Sequence, residues 1–125
     1  MKAIGKTCWV IAEGYIPSES TGSSREMVSH ETACILNTSD EDADVEITIF
    51  YTDRDPAGPF HLLVPARRTR HFRFNDLKDP EPVPRDTDYS SVIISTIPVV
   101  VQHTRLDSRQ MSNALMTTIA FASGE

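Results

Sequence analysis

Val99-Val100-Val101-Gln102-His103-Thr104-Arg105-Leu106-Asp107-Ser108-Arg109-Gln110 begins with three valines and ends in hydrogen-bonding and charged side chains. β-Branched residues favour extended backbone, and side chains alternate between the two faces of a strand. The front of the segment therefore reads as a buried strand. Its end holds polar groups on a rigid element, where a ligand or partner can meet them. Val99, Val101, His103 and Arg105 share one face, and Val100, Gln102 and Thr104 share the other.

The same reading extends outward in both directions. Val45, Ile47, Ile49 and Tyr51 alternate with Glu46, Thr48 and Phe50, a period of two that buries one face. Leu115, Thr117, Ile119 and Phe121 follow the same rule. Further strands are expected over Thr7–Glu13, Thr32–Leu36, Phe60–Val64, Arg68–Phe74, Ser91–Ile97 and Val99–Arg105. Pro98 is expected to divide the last two by a turn or bulge. Asn37-Thr38-Ser39-Asp40 and Asp55-Pro56-Ala57-Gly58-Pro59 carry turn chemistry. Asp79-Pro80-Glu81-Pro82-Val83-Pro84 reads as a connection, and Ser18–Ser24 as a mobile loop. A helical turn near Asp107-Ser108 is the one departure from β structure. About eight short strands within 125 residues point to a single all-β domain over residues 1–125, a β-sandwich or jelly roll. So small a sheet must protect its edges, and self-association is one route.

Composition narrows the function. Hydrophobic residues at 39% and charged residues at 24% are those of a globular domain rather than a disordered chain. No apolar run approaches the ~20 residues of a membrane-spanning helix, and the N-terminus lacks a secretory signal, so a cytoplasmic protein without direct membrane insertion is expected. Cys8 and Cys34 sit in apolar strand-like stretches and read as reduced core residues. The net charge of −6 is local. Asn37–Asp55 holds Asp40, Glu41, Asp42, Asp44, Glu46, Asp53 and Asp55 against Arg54 alone, and the rest of the chain balances at 11 acidic and 11 basic residues. An acidic surface repels nucleic acid and suits a basic partner.

Four constellations carry polar chemistry. Gln102, His103, Thr104, Arg105 and Asp107 end the valine strand, where the arginine fork suits a carboxylate, a phosphate or vicinal hydroxyls. The competing role is a strand-end ion pair of Arg105 with Asp107 or Glu31. Trp9 and Glu13, followed by Gly14-Tyr15, offer a ring and an acid of the kind that hold a sugar, although a lone tryptophan in a small sandwich is commonly core. His30-Glu31 with His103 and Asp107 gives the composition of a two-histidine, one-carboxylate metal site, but no tight ligand spacing supports it, and neither metal nor cofactor is expected. Arg67-Arg68-Thr69-Arg70-His71-Phe72-Arg73-Phe74 places four arginines in seven residues from Arg67 to Arg73. It can bind single-stranded nucleic acid or pair with the acidic Asn37–Asp55 stretch, and the charge match favours pairing. No phosphate loop, nucleophile elbow or cysteine–histidine arrangement suggests an enzyme.

Four segments also carry a family likeness. The valine strand, Cys8-Trp9-Val10-Ile11-Ala12-Glu13-Gly14-Tyr15-Ile16-Pro17, Ser29-His30-Glu31-Thr32 and Val64-Pro65-Ala66-Arg67-Arg68-Thr69 together resemble the sensory rhodopsin transducer family, over about Gly5 to Phe121. The resemblance implies β-sandwich subunits in a homotetramer of four-fold symmetry. It also implies a non-enzymatic signalling protein that docks on the cytoplasmic face of a microbial rhodopsin. The acidic stretch would then meet basic cytoplasmic loops. An alternative is a small-molecule binding domain, for a sugar or related metabolite, built on Trp9, Glu13, His30, Glu31, Gln102, His103 and Arg105. DNA binding through Arg67–Arg73 is a third and less favoured role.

Overall fold

The computed structural model of the chain describes residues 2–21, 24, 25, 27–110 and 112–124. Eight strands follow in order: β1 (Lys6–Gly14), β2 (His30–Asn37), β3 (Ala43–Tyr51), β4 (Ala57–Val64), β5 (Arg68–Arg73), β6 (Tyr89–Asp107), β7 (Ala114–Ile119) and β8 (Phe121–Ser123). A single 3-10 turn, Phe74–Asp76, follows β5. The expected turn at Asp107-Ser108 is not formed, since β6 runs through Asp107. The proposed Ser18–Ser24 loop includes Gly22 and Ser23, which lie outside the described residues.

All pairing is antiparallel, and β6 is the spine. Its first half pairs with β1 and β3, and its second half with β2 and β7. β4 adds to β3, β5 to β2, and β8 to β1. The eight strands thus form one open sheet, bent at β6 so that its halves face each other. Phe72 and Phe74 from one half meet Tyr89 from the other, with ring centroids 5.2 and 5.6 Å apart along that series. Ile35, Val45, Ile47, Phe60, Ile93 and Val101 fill the space between. In β3 the alternation is as expected, with Val45, Ile47 and Ile49 buried and Asp44 and Glu46 exposed.

Two prolines mark where sequence and structure part. Pro98 does not divide two strands; it lies inside the 19 residues of β6. Cys8 pairs with Ile94 but Lys6 pairs with Val99, so β6 carries extra residues there as a bulge. A bulge demands no ladder hydrogen bond of every residue, and so tolerates a residue without N–H. Trp9 pins this corner, its indole Nε1–H donating to the carbonyls of Lys6 at 3.0 Å and Val99 at 2.9 Å. Gly5 passes so close that a Cβ would stand 1.9 Å from the Val99 oxygen. Pro59, expected in a turn, instead belongs to β4, which begins at Ala57 opposite Ile49 after a register shift.

Edges are managed chemically. β4 and β5 are outer strands, and Arg70 of β5 donates from Nη1 to the Leu63 carbonyl of β4 at 2.8 Å, closing the seam between them. Asn37, fully buried, donates to the carbonyls of Glu41 and Val64 and accepts from the Ser39 amide, organising the acidic turn. Of the expected charge pairing, Arg67 meets Asp40 at 3.2 Å on the surface. The alternation of Leu115, Thr117 and Ile119 does not bury a face in this chain. Every residue of β7 is exposed, Leu115 at 70% and Ile119 at 60%. Cys8 and Cys34 are both free and lie on different halves of the sheet.

Candidate functional site

β2 alternates so that Glu31, Ala33, Ile35 and Asn37 point inward. Its register sets Glu31 opposite Arg105 and Ala33 opposite His103. An acid that is 1% exposed thereby meets the two basic side chains at the end of β6. Glu31 Oε1 lies 2.7 Å from His103 Nε2. Its Oε2 accepts from Arg105 Nε at 3.1 Å and Nη2 at 2.9 Å, and from the Tyr15 amide. Four donors on one buried carboxylate repay its desolvation, which an unpartnered charge does not survive. Burial alone acts to lower the Arg105 pKa, but attraction and hydrogen bonding to Glu31, aided by Glu13, outweigh it and raise the value. Arg105 stays charged.

Two local features make the cluster possible. Gly14 lets the end of β1 lie against the Tyr89 ring, where a Cβ would stand 2.4 Å from the ring carbon Cε2. This brings the Tyr15 amide to Glu31. Asn75, in the 3-10 turn, accepts from the Glu31 amide at 3.2 Å and donates to the Ser29 carbonyl at 3.0 Å, fixing the entry of β2.

Tyr89 borders the cluster, and its buried hydroxyl has no hydrogen-bond partner among the described residues. Burial first, then the Glu31 charge, holds this phenol well above its ordinary range. Folded Tyr89 keeps its proton where the unfolded chain loses it. That contribution to stability is intact below about pH 10 and declines as pH rises above it. Tyr89→Phe is expected to raise stability by about 1 kcal/mol at neutral pH, by removing an unpaired buried hydroxyl. It should also flatten part of the alkaline decline. Urea unfolding of both proteins at neutral and alkaline pH checks the two effects.

The cluster is reached from solvent. A cleft of about 280 Å³ opens at the β7–β8 corner beside β1, with Glu13, His103 and Arg105 as its ionisable groups, Thr117 and Thr118 beside them, and Val10, Met116 and Phe121 among its walls. A second recess of about 280 Å³ is lined by Glu13, Tyr15, Asp88, Arg105, Asp107 and Arg109. Arg105 and Glu13 border both. Side-chain exposure is 11% for His103 and 17% for Arg105, so each is sheltered but open at one side. Arg109 binds Asp107 at 2.6 Å, and that hydrogen bond holds the Asp107 carboxyl below its usual range.

The residues proposed from sequence divide into two groups. Glu13, Glu31, His103 and Arg105 come together; Glu13 Oε2 is 3.5 Å from Arg105 Nη1. Trp9 is a core residue, 5% exposed, with its N–H committed to backbone. His30 and Gln102 lie on the outward face, His30 Nδ1 at 2.6 Å from the Val28 carbonyl and Gln102 Nε2 donating to Thr117 at 2.9 Å. With His30 and His103 on opposite faces, the two-histidine, one-carboxylate grouping is not assembled. Asn75, Tyr89 and Met116 are the contributors that sequence reasoning passed over. Tyr89 was legible as an aromatic at the head of a strand; Asn75 carried no signal.

Known proteins place this arrangement in context. The model of the family described as Anabaena sensory rhodopsin transducer matches residues 4–122, a span holding every residue of the cluster. A solved structure named Anabaena sensory rhodopsin transducer is 60% identical, covers 83% of this chain and 100% of its own, and superposes with a TM-score of 0.73. The crystal structure of Thermotoga maritima 1070 is 34% identical, covers 95% of this chain and 96% of its own, and gives a TM-score of 0.84. No curated protein matches. A shared fold alone would leave the ancestry open, but sequence agreement over nearly the whole chain and a like fold at 60% identity do not: the chain belongs to the Anabaena sensory rhodopsin transducer family.

Proposed function

We infer that the chain is a non-enzymatic signalling protein of the cytoplasm that relays a receptor or ligand signal. Kinship to a sensory rhodopsin transducer supports a microbial rhodopsin as the receptor. The observation that carries the docking reading is the acidic outward face of β3 and the turn beyond it. Asp44 and Glu46 project from the outward face of β3, and Asp53 and Asp55 stand exposed beyond its end. Basic cytoplasmic loops of a membrane protein are its complement. No helix among the described residues is long and apolar enough to cross a membrane, which agrees with docking through a partner. The complex with the cognate rhodopsin is expected to weaken strongly between about 0.01 M and about 1 M salt, where the Debye length falls from about 30 to about 3 Å. Binding measured in nanodiscs over that range checks it; equal affinity at both ends rejects electrostatic docking.

A second reading concerns the input. The Glu31–His103–Arg105 cluster at the floor of a cleft favours a small-molecule ligand, since a purely structural ion pair needs no opening to solvent. The sugar form of this reading loses its aromatic platform, because Trp9 is buried in the core. Four-fold self-association remains the proposed assembly. It would cover Leu115, which this chain leaves in water. DNA binding through Arg67–Arg73 is not favoured: Phe72 and Phe74 are core residues and offer no stacking surface, and Arg70 is bonded to Leu63.

A further inference from the structure

The guanidinium of Arg105 is divided between two tasks. Nε and Nη2 hold Glu31 at 3.1 and 2.9 Å, and Nη2 also reaches the Tyr15 carbonyl at 3.4 Å. Nη1 points the other way, at the boundary of the two recesses, and meets Glu13 Oε2 at 3.5 Å. Charge-assisted N–H to carboxylate contacts settle at ~2.7–2.9 Å. Glu13 therefore makes a long, weakly held contact at this nitrogen. Its side chain is 80% exposed and displaced at little loss.

Around this position the cleft is apolar. Val10 lines it together with Met116, Ile119 and Phe121, the last paired with Val10 across β1 and β8. These last three are 55, 60 and 69% exposed, so the chain leaves a ring of large apolar side chains beside an ionic floor. Ligand pockets commonly combine apolar walls with a few fixed polar groups that set orientation.

We propose that the cleft binds a small carboxylate with an apolar body, whose carboxylate takes the place of Glu13 at Arg105 Nη1 while the body covers Met116, Ile119 and Phe121. This rests on the small-molecule reading of the cluster and names the class of ligand. The charge balance favours exchange over addition. Arg105 already neutralises the buried Glu31, so a third negative group would be repelled, but a carboxylate that replaces Glu13 leaves the local charge as it was. Glu13 is then the resident occupant of the site, and its departure is the local change that ligand binding makes.

The test is calorimetric titration of the full chain with three probes: hexanoate, hexanol and glucose. Hexanoate is expected to bind, with hexanol weaker by about tenfold or more, the loss of a charge-assisted contact. Glu13→Gln should tighten hexanoate binding severalfold, because the internal competitor loses its charge. Hexanol or glucose binding as well as hexanoate overturns the carboxylate assignment, and so does weaker hexanoate binding in Glu13→Gln. Glucose binding that is lost in Arg105→Lys, with hexanoate silent, rejects the ligand class while leaving the cluster as a small-molecule site. Silence towards all three probes rejects the carboxylate and removes the support for the small-molecule reading as well.

Discussion

Glu31→Gln is expected to lower the free energy of unfolding by about 3–5 kcal/mol, the usual consequence of removing one member of a buried ion pair. The carboxylate is 1% exposed and accepts from Arg105, His103 and the Tyr15 amide together. Glutamine keeps the volume and loses the charge, leaving a sheltered guanidinium without its counter-ion. The same reasoning applies from the other side. Arg105→Ala strips the buried Glu31 of its cation and belongs with the strongly destabilising changes. A double variant, Glu31→Leu with Arg105→Met, should recover most of the loss, since apolar replacements of whole buried pairs are often neutral. It would fold without a site. Urea unfolding of the three proteins measures this directly. A loss below about 1 kcal/mol for Glu31→Gln would mean that the pair behaves as a solvated surface bridge.

Gly14→Ala is the second large effect, and it links packing to the site. A Cβ at residue 14 would lie 2.4, 2.5 and 2.8 Å from three atoms of the Tyr89 ring. The ring has little room to yield, because it is buried and packs on Phe74 at 5.6 Å. Either it moves into the core or β1 lifts away, taking the Tyr15 amide from Glu31. Overpacking of this kind costs about 1–3 kcal/mol. Thermal or urea unfolding gives the stability change, and hexanoate titration of the variant should show weakened binding as well. Unchanged stability and binding would show that the β1 end is not held against Tyr89.

Much of this was legible in the sequence, and the failures have physical reasons. The period of two in β3 fixed its buried face because both flanking strands lie in the same half of the sheet. Parity along Val99–Arg105 placed His103 and Arg105 together for the same reason. Parity also separates His30 from Glu31 and Gln102 from His103, and grouping all four overlooked that neighbours in a strand face opposite ways. Pro98 marks a bulge, one of its two expected roles, but the strand runs on through it, because a bulge where β6 passes between halves needs no donor there. Leu115–Phe121 alternates throughout, but the chain changes partner at Ala120, from β6 to β1. Alternation reports which way a side chain points and says nothing of which strand lies alongside. Trp9 was ambiguous in kind: an indole beside a carboxylate serves a sugar or a corner equally well, and only the backbone carbonyls of Lys6 and Val99 decide for the corner.

The most direct measurement is ¹⁵N NMR of the arginine and tryptophan side chains during addition of hexanoate. An open, Glu31-anchored cluster should show the Arg105 guanidinium signals shifting with ligand while the Trp9 indole N–H stays in place. Arg105 signals that remain fixed while the Trp9 indole responds would put recognition at the N-terminal corner and reduce the Glu31–His103–Arg105 cluster to a structural clasp.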